Sequence, residues 1–551
     1  MRDNQIFCVL LGHEYVHEVQ VITQIFFANC RFTFGEEIPT DGYAVVSRLI
    51  NNTEVTCIGE LYKNGQKVSS CTLEASQDRL DQLLGNKINL MEDTQAVWDV
   101  QEIASQPGIK VVKRTLMLAL FHGLKEATGQ PTPWGALVGV RPAKQVRIWL
   151  EEGKLETHIA KCLKDVYQCR DDKIQLAMAV AQAEKNLIIR QKQQKPGVGL
   201  YIGIPFCPSR CLYCSFVAAQ KAGPDAHKRY LAALAKECET IAEKRLKDLK
   251  AKGRVVNTVY IGGGTPTALS EEYLAVLLET VGRLFGPFME KAEYTVEAGR
   301  PDSITREKLT LLKDHGVNRI AINPQTLNDE TLLRIGRGHT ARDFYKAYGL
   351  AQKVGFTNIN TDVIAGLPGE GPKDMAYTME GLIKLAPAHI TVHTLAVKRA
   401  SKLLEIMTSK KSGFEQKSSD ILRASKAHNV FNEYDIDDYF AKEFDMIDNM
   451  LVISQEACQS LGLSPYYMYR QKNMIGHFEN VGYSLPGCEC IYNVAMMAET
   501  QTVLAAGAGG VTKFVSFAED KSQEGPLITR DFNPKDVETY IGRVEAKIGI
   551  Q

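Results

Sequence analysis

Between Gly197 and about residue 395, short apolar runs alternate with longer stretches that have the spacing of amphipathic helices. Strands separated by helices in this rhythm predict parallel βαβ units, because a parallel pair of strands needs a long crossover connection. Right-handed crossovers would wind such units into a barrel or partial barrel, whose functional residues gather at the carboxyl ends of the strands. The six predicted strands are GLYIGI (199–204), NTVYIG (257–262), EYTVEA (293–298), NRIAIN (318–323), TNINTDVIAG (357–366) and HITVHTL (389–395).

The chain has 551 residues, which is more than one ordinary domain contains. The polar run RQKQQKPG separates the alternating segment from the residues before it, and a charged, Ser-rich stretch follows that segment. We therefore predict an α/β architecture of three parts. They are an N-terminal α+β accessory domain (1–195), a partial barrel (196–400) and a C-terminal α+β cap with a substrate region (401–551).

The N-terminal part shows β-like runs first and helical patterns later. The first residues, MRDNQIFCVLL, read as a strand, because the apolar run is short and lies among charges without a small-residue cleavage site. HEVQVITQIFF (17–27) and AVVSRLI (44–50) also read as β-like runs. Helical patterns follow from about Leu116 to Arg190.

The overall charge restricts the classes of partner. Lys plus Arg and Asp plus Glu each number 65, which argues against general binding to nucleic acids or membrane surfaces. No run of 18 apolar residues is present. The 13 cysteines, an odd number, fit reduced thiols in a cytosol better than a disulfide framework. We therefore expect a cytoplasmic protein, and we also expect it to be a monomer.

Three cysteines are clustered directly after the first predicted strand, with the spacing C-x3-C-x2-C at Cys207, Cys211 and Cys214. Three thiolates on a [4Fe–4S] cluster leave one iron open, which can bind the amino and carboxylate groups of S-adenosylmethionine (SAM). Electron transfer to the sulfonium then yields a 5′-deoxyadenosyl radical. The alternatives are chance or a structural zinc site, although zinc usually takes four ligands and no second C-x2-C pair lies nearby.

A glycine loop ends the second predicted strand, in the sequence VYIGGGTPT. Gly262, Gly263 and Gly264 would allow a ligand to approach the backbone closely, and exposed peptide groups there could bind the methionine end of SAM. The loop lacks the signatures of a P-loop and of a dinucleotide-binding turn. Without the neighbouring cysteine loop it would indicate only a tight turn.

Polar side chains follow the later strands of the predicted barrel. Glu297 ends the third strand, Gln325 and Arg337 follow the fourth, and Asp362 lies within the fifth. Each could be an ordinary surface or turn residue, but a carboxylate in the apolar fifth strand needs a partner. Together they supply acceptors and donors for the ribose and carboxylate of SAM.

Four motifs together resemble the oxygen-independent coproporphyrinogen III oxidase family of radical SAM proteins. They are YIGIPFCPSRCLYCSF, VYIGGGTPT, PQTLNDETLLRIGRGH and NTDVIAGLP, within residues 197–515. PWGALVGVRP upstream and YYMYRQKNM with AAGAGG downstream look like the longer, Z-type branch of that family. The resemblance implies an incomplete (β/α)6 barrel that holds a [4Fe–4S] cluster and SAM.

The resemblance also implies roles for individual residues. Tyr201 would lie beside SAM and Tyr213 would cap its adenine, while Gly263, Gly264 and Thr265 would contact its methionine part. The family's remaining SAM-binding positions fall on Glu297, Gln325, Arg337, Asp362 and Ala396.

The reaction that the resemblance implies is oxidative decarboxylation of two coproporphyrinogen III propionates to vinyl groups in haem biosynthesis, with an external electron acceptor. Two departures from the well-studied branch concern the substrate: Phe216 replaces a fourth cysteine, and Gly203 replaces a histidine. Relatives without the fourth cysteine include haem chaperones and haem-degrading methyltransferases. A haem-binding protein and a radical haem methyltransferase or degrading protein are therefore the alternatives.

The C-terminal part offers tentative substrate residues. Tyr469, Arg470 and Lys472 lie together, and a tyrosine could lie against a flat tetrapyrrole while the cations pair with its propionates. An amphipathic strand with ordinary solvated charges is the alternative. His393 ends the sixth predicted strand and could face substrate or lie in the core.

Overall fold

The protein divides into two compact units in a computed structural model. Unit 1 comprises residues 1–182 and 468–479, and unit 2 comprises residues 183–467 and 480–551. The structure describes residues 5–27, 30–51, 55–74, 107–214, 219–220, 223–397, 401–403, 444–471, 474–516 and 527–549. Among these residues, no helix is both long enough and apolar enough to span a bilayer.

Unit 1 contains a five-stranded sheet of order β2-β1-β3-β4-β5, in which β1 runs parallel to β2 and β3, and β4 runs antiparallel to β3 and β5. The buried side chains of Cys57, Leu116 and Ala119 form one of its core clusters. The strands are β1 Gln5–Leu11, β2 Arg31–Gly35, β3 Tyr43–Asn51, β4 Val55–Lys63 and β5 Gln66–Glu74. The helices are α1 Val16–Phe26, α2 Pro107–Thr128, α3 Pro142–Glu151, α4 Glu156–Asp165 and α5 Asp171–Lys192, whose last turns belong to unit 2.

The structure confirms the predicted strands at the N-terminus and at 44–50, and the helical region that follows. The prediction for residues 17–27 is wrong, because this segment forms α1. Its Val and Ile side chains favour strands, but the buried positions Val19, Ile22 and Phe26 recur every three or four residues. That spacing puts them on one face of a helix, and tertiary packing outweighs the weak strand preference.

Unit 2 contains the predicted barrel strands, and all six are present and parallel in the order β13-β12-β11-β10-β9-β6. They are β6 Gly197–Ile204, β9 Val255–Gly263, β10 Met289–Glu297, β11 Arg319–Ala321, β12 Ile359–Ala365 and β13 His389–Thr394. The helices between them are α6 Pro224–Ile241, α7 Lys247–Ala251, α8 Glu271–Phe285, α9 Arg306–Asp314, α10 Asp329–Arg334, α11 Ala341–Val354 and α12 Pro372–Leu385. This α/β alternation confirms the predicted fold class.

The C-terminal residues extend the same sheet at both edges. β15 pairs antiparallel with β13, and β16 pairs parallel with β6 on the opposite side. The additional elements are β14 Ser464–Tyr469, β15 Asn480–Ser484, β16 Val503–Ala506, β17 Val511–Ser516, β18 Leu527–Phe532, α13 Phe444–Ser460, α14 Ile491–Ala498 and α15 Val537–Gly549. Residues 404–443, most of the charged stretch at the start of the predicted C-terminal part, lie outside the described residues.

The glycine-rich turn after β16 lies directly against the end of β6. A Cβ atom on Gly507, whose φ is +96°, would lie 3.0 Å from Gly203 N and still closer to the Gly203 carbonyl oxygen. The Tyr230 hydroxyl joins the two segments, because it donates to Gly203 O at 2.5 Å and accepts from Ala508 N at 2.9 Å. The turn is therefore a packing element of the barrel wall.

Replacement of Gly507 by alanine should destabilise the fold more than the same change at a glycine in open space. Gly462 is the matched control, since its φ is +71° and a Cβ there would meet nothing within 4 Å. Gly462→Ala should cost about 1–2 kcal/mol from left-handed backbone strain alone. Gly507→Ala should cost roughly 1–3 kcal/mol more from the clash. Equal losses in denaturant unfolding would contradict the packing role of this turn.

Candidate active site

The cysteine loop begins at the end of β6, where Cys207 closes the two-residue strand β7 (Phe206–Cys207) beside β8 (Ala219–Gln220). Cys211 is buried, Cys207 and Cys214 are half-buried, and all three are free thiols. The pKa of Cys207 is raised to about 11, because burial and the nearby thiols of Cys211 and Cys214 outweigh the lowering effects of Thr265 and Arg300. The thiols of Cys211 and Cys214 are thus near enough to influence Cys207, and a positive partner would be needed to hold the three as thiolates.

The chemistry of this donor set fits an iron–sulfur cluster. Three thiols project from one loop, and the guanidinium groups of Arg300 and Arg337 approach the sulfur of Cys211 at 3.9 and 3.8 Å. N–H groups directed at a cysteine sulfur stabilise the negative charge of a thiolate-ligated cluster. Within the described ranges, no three His, Cys, Asp or Glu side chains, these cysteines included, are grouped closely enough to hold a single metal ion. The fit to a cluster therefore rests on the spacing of the three thiols in one loop and on the N–H groups directed at Cys211.

The glycine loop packs against the cysteine loop. Gly264 N donates to Ile204 O at 2.8 Å, and Thr265 N donates to Phe206 O at 2.7 Å. A Cβ atom on Gly264 would lie 2.5 Å from Phe206 O, so only glycine allows this approach. These N–H groups are occupied within the protein, and the predicted contacts of Gly263, Gly264 and Thr265 with methionine stay predictions.

Three tyrosine rings lie nearly parallel beside the glycine loop. Tyr260 of β9 stacks on Tyr492 of α14 with ring centroids 4.4 Å apart, and Tyr201 of β6 lies 6.3 Å from Tyr260. Burial raises the pKa of each hydroxyl, so all three rings are neutral at physiological pH. The predicted SAM neighbour Tyr201 therefore belongs to an apolar wall whose polar edges are hydroxyl groups.

Glu297 lies at the end of β10 and faces this wall. Its Oε1 accepts from the Tyr260 hydroxyl at 2.5 Å, and its Oε2 accepts from Gly263 N at 3.3 Å. The pKa of Glu297 is raised to about 7, because burial and the charge of Asp362 raise it by more than the hydrogen bonds from Tyr260 and Gly263 lower it. A Cβ atom on Gly262 would lie 2.8 Å from the Glu297 carboxyl carbon, so this glycine makes room for the acid.

Asp362 of β12 lies in a more polar setting than Glu297. Asn323 Nδ2 donates to its Oδ2 at 2.8 Å and Asn360 Nδ2 donates to its Oδ1 at 2.7 Å, while His393 Nε2 lies 3.6 Å from Oδ2. Burial raises the pKa of Asp362, but His393, Asn360 and Thr391 outweigh burial and hold it below its usual value. The surroundings therefore favour the protonated form of Glu297 and the ionised form of Asp362.

Gln325 has the strained backbone and the unsatisfied side chain expected at a ligand site. Its φ of +67° is rare for a residue other than glycine, and its backbone bridges β12 through Asp362 O and Ile364 N. The side chain is 7% exposed, and its carbonyl oxygen has no hydrogen-bond partner within the described part of the chain. A buried acceptor of this kind is costly unless a ligand satisfies it.

Arg337 faces the cysteine loop through Nη1, and through Nη2 it donates to Gly299 O at 2.8 Å and Asn323 O at 2.6 Å. Tyr213 lies near Cys211 and Arg337, since both affect its hydroxyl. Burial raises the pKa of Tyr213 most, Cys211 raises it further, and Arg337 lowers it. Ala396 is half-buried just beyond β13. These three, with Glu297 and Gln325, lie at the carboxyl ends of strands or in the loops that follow them, and Tyr201 and Asp362 lie within β6 and β12.

The tentative substrate residues that the structure describes, Tyr469 and Arg470, belong to unit 1. Residues 468–479 belong to unit 1, where Arg470 donates through its backbone to Val140 O and through Nη1 to Leu137 O, both at 2.7 Å. Its guanidinium lies over the Trp134 ring at 5.9 Å, and burial lowers its pKa to about 10. Arg470 therefore binds its own chain at the PWGALVGVRP segment. Tyr469 is half-buried, and Lys472 and Phe216 lie outside the described residues.

Sequence reasoning missed several residues that the structure brings to the site. Asn323 follows the carboxyl end of β11, so the rule that located Glu297 could have found it. Asn360 lies near the start of β12, where that rule gives no signal. Arg300 follows β10 by three residues and carried the same positional signal. Tyr492 gave no such signal, because it reaches the barrel strands from α14, far along the chain.

Comparisons with known proteins identify the family of this chain. Residues 201–382 match the Radical SAM superfamily. Over 530 residues the chain is 34% identical to the oxygen-independent coproporphyrinogen-III oxidase-like protein HemZ of Bacillus subtilis, covering 96% of this chain and 93% of that protein. The haem chaperones HemW of B. subtilis and Escherichia coli are each 33% identical, over 46% and 37% of this chain and 67% and 51% of their own lengths.

Among solved structures, coproporphyrinogen III oxidase (HemN) from E. coli is similar with a TM-score of 0.46 and 21% identity, over 66% of this chain and 73% of that chain. The fold, the cysteine loop and the sequence match define a radical SAM protein, a class that uses a [4Fe–4S] cluster and SAM. Within that class, the chain belongs to the family of oxygen-independent coproporphyrinogen-III oxidase-like proteins.

The raised pKa of Glu297 predicts a measurable pH dependence of stability. Between the pKa of Glu297 in the unfolded chain and about pH 7, the folded state binds a proton that the unfolded state releases. The contribution of Glu297 to the free energy of unfolding therefore falls as pH rises through that window. Glu297→Gln removes the ionisation, so its free energy of unfolding relative to wild type should increase between pH 5 and pH 8. Exposed Glu272→Gln is the control. A pH-independent difference for Glu297→Gln would show that the carboxyl is not protonated.

Proposed function

We propose that this protein is an oxygen-independent coproporphyrinogen III oxidase, an oxidoreductase that converts two propionates of its substrate to vinyl groups. Radical chemistry is supported by the cysteine loop after β6 and by Glu297, Gln325 and Asp362 on the strands and loops of the same parallel sheet. The choice of substrate is supported by similarity to the oxidase-like protein along 96% of the chain. The two haem chaperones compared above match less than half of it.

In this proposal Cys207, Cys211 and Cys214 hold the cluster, and the strand-end residues hold SAM. The bound cluster and SAM supply a 5′-deoxyadenosyl radical at the barrel mouth. Asp362, held ionised, suits the ribose hydroxyl groups as an acceptor, and the unsatisfied Gln325 oxygen suits a donor on the cofactor. The neutral tyrosine wall provides an apolar surface beside them and keeps water from that side.

The proposed reaction removes one hydrogen atom from the β-carbon of each propionate. The bond between the α-carbon and the carboxylate then breaks, carbon dioxide leaves, and the two carbons that remain form the vinyl double bond. One electron per propionate must pass to an external acceptor. The product is protoporphyrinogen IX, and the pathway is haem biosynthesis.

A second candidate is a haem-binding protein that keeps the cluster but does not turn over coproporphyrinogen. One observation favours it: a Cβ atom on Gly203 would lie 2.9 Å from Ala508 O. The barrel wall therefore leaves little room for a side chain where the resembling oxidases have a histidine. If that histidine is essential for decarboxylation, this chain must use another residue or another reaction.

Anaerobic turnover should distinguish the two candidates. After cluster reconstitution, wild-type protein with SAM, reductant, an electron acceptor and coproporphyrinogen III should yield a tetrapyrrole lacking two carboxyl groups, detected by mass, together with 5′-deoxyadenosine. Cys211→Ala should lose turnover and cluster iron, because a ligand is removed. Cys71→Ala on β5 is the control and should retain both.

Intact coproporphyrinogen together with stoichiometric haem binding would exclude the decarboxylase and support the haem-binding candidate. Methylated or linear haem products would indicate a methyltransferase or degrading protein instead. Full turnover by Cys211→Ala would refute the assignment of the cluster ligands. Ultraviolet–visible spectra and iron and sulfide content, measured on the same samples, report on the cluster separately from the substrate.

A further inference from the structure

The cysteine loop rests on a buried arginine that no sequence motif singled out. Arg300 is 2% exposed and lies just after β10. Its Nη1 donates to Ser209 O at 3.0 Å, and its Nη2 donates to Ser209 Oγ at 2.8 Å. Nη1 also approaches Cys211 Sγ at 3.9 Å. One guanidinium thus contacts the loop at the residue between two of the proposed ligands and at one ligand itself.

Asp302 holds this guanidinium in place. Nε donates to Asp302 Oδ1 at 3.1 Å and Nη2 donates to Oδ2 at 3.0 Å, which fixes the plane of the Arg300 fork. A Cβ atom on Gly338 would lie 2.8 Å from Asp302 Oδ2 and 3.3 Å from Arg300 Nη2. The glycine at 338 therefore leaves the space that the ion pair occupies.

The neighbouring segment, residues 335–338, holds the other side of the loop. Leu212 N donates to Ile335 O at 2.9 Å, and Ser209 Oγ donates to Gly336 O at 3.2 Å. Arg337 adds its contact with Cys211 Sγ at 3.8 Å. The loop is thus fixed on two sides by groups that belong to the folded chain.

The charges around Cys211 have an electrostatic consequence. Two guanidinium groups and one carboxylate surround a thiol that would carry part of the negative charge of the cluster. Reduction adds a further negative charge, and nearby positive charge and N–H groups favour the more negative state. The Arg300 side chain is almost fully dehydrated, so screening by water is weak.

We propose that Arg300 is a positioning residue for the iron–sulfur cluster, which clamps the cysteine loop through Ser209 and raises the reduction potential of the cluster through Cys211. The proposal rests on Cys207, Cys211 and Cys214 as cluster ligands and is independent of the tetrapyrrole substrate. The two roles of Arg300 can be tested separately. Holding the loop requires the planar guanidinium group, whereas raising the reduction potential requires only its positive charge.

Reconstituted wild type, Arg300→Gln and Arg300→Lys should be compared by iron release to a chelator and by redox titration followed with electron paramagnetic resonance. Arg300→Gln should release iron about tenfold faster, as for other residues that support metal ligands, and its potential should shift negative. Arg300→Lys keeps the charge without the fork, so it should release iron faster at a near-wild-type potential. Arg283→Gln, on an exposed arginine of α8, is the matched control.

Asp302→Asn supplies the test of sign. It removes a negative charge beside Arg300, so the potential should shift positive, opposite to Arg300→Gln, although both changes loosen the same ion pair. A purely structural role for Arg300 would move both variants in the same direction and would overturn the electrostatic part.

Unchanged iron release and potential in both Arg300 variants would overturn the whole proposal. If Arg300→Gln does not fold, Arg300→Lys decides the clamp and Asp302→Asn decides the charge by the same criteria. A wild-type protein that takes up no cluster would instead refute the ligand assignment on which the proposal rests. Loss of tetrapyrrole turnover with an intact cluster would concern only the proposed function.

Discussion

The site depends on the close contact between the backbone of Gly264 and the backbone of Phe206. Parallel pairing of β6 with β9 brings the cysteine loop and the glycine loop to the same edge of the sheet, where Gly264 and Thr265 donate to Ile204 and Phe206. Any side chain at Gly264 would separate them. The consequence is that Cys207 lies beside Thr265 rather than in solvent, and its sulfur is 3.9 Å from the Thr265 hydroxyl.

Around this contact, the barrel places its arginines and its two acids in different surroundings, which favour different charge states. The arginines at positions 300 and 337 face the sulfur of Cys211, where the proposed cluster would place negative charge. Glu297 faces tyrosine rings and is driven towards its neutral form, while Asp362 has two amides and a histidine and is driven towards its charged form. Two carboxyl groups that look alike in the sequence are therefore suited to different bonds with a ligand.

The C-terminal residues complete the barrel wall. β16 covers the outer edge of β6, and the turn at Gly507 occupies the space beside Gly203 that a larger residue would need. Glu237 and Tyr540 reinforce this turn, since Glu237 accepts from Gly507 N at 2.8 Å and from the Tyr540 hydroxyl at 2.6 Å. The departure at Gly203 and the AAGAGG motif are thus two sides of one packing contact.

The sequence alone determined the six parallel strands, the cysteine loop and the acids of the strands. Apolar periodicity and position within a strand are local properties that can be read directly along the chain. The prediction of a strand at residues 17–27 was wrong, because the β-branched side chains there lie on a helix. Tertiary structure decided what those local signals could not contain. Arg300 meets Cys211 across 89 residues, Tyr492 stacks on Tyr260, and Arg470 binds Leu137 across 333 residues. Such contacts exist only after folding, since side chains remote in sequence become neighbours through the topology of the sheet.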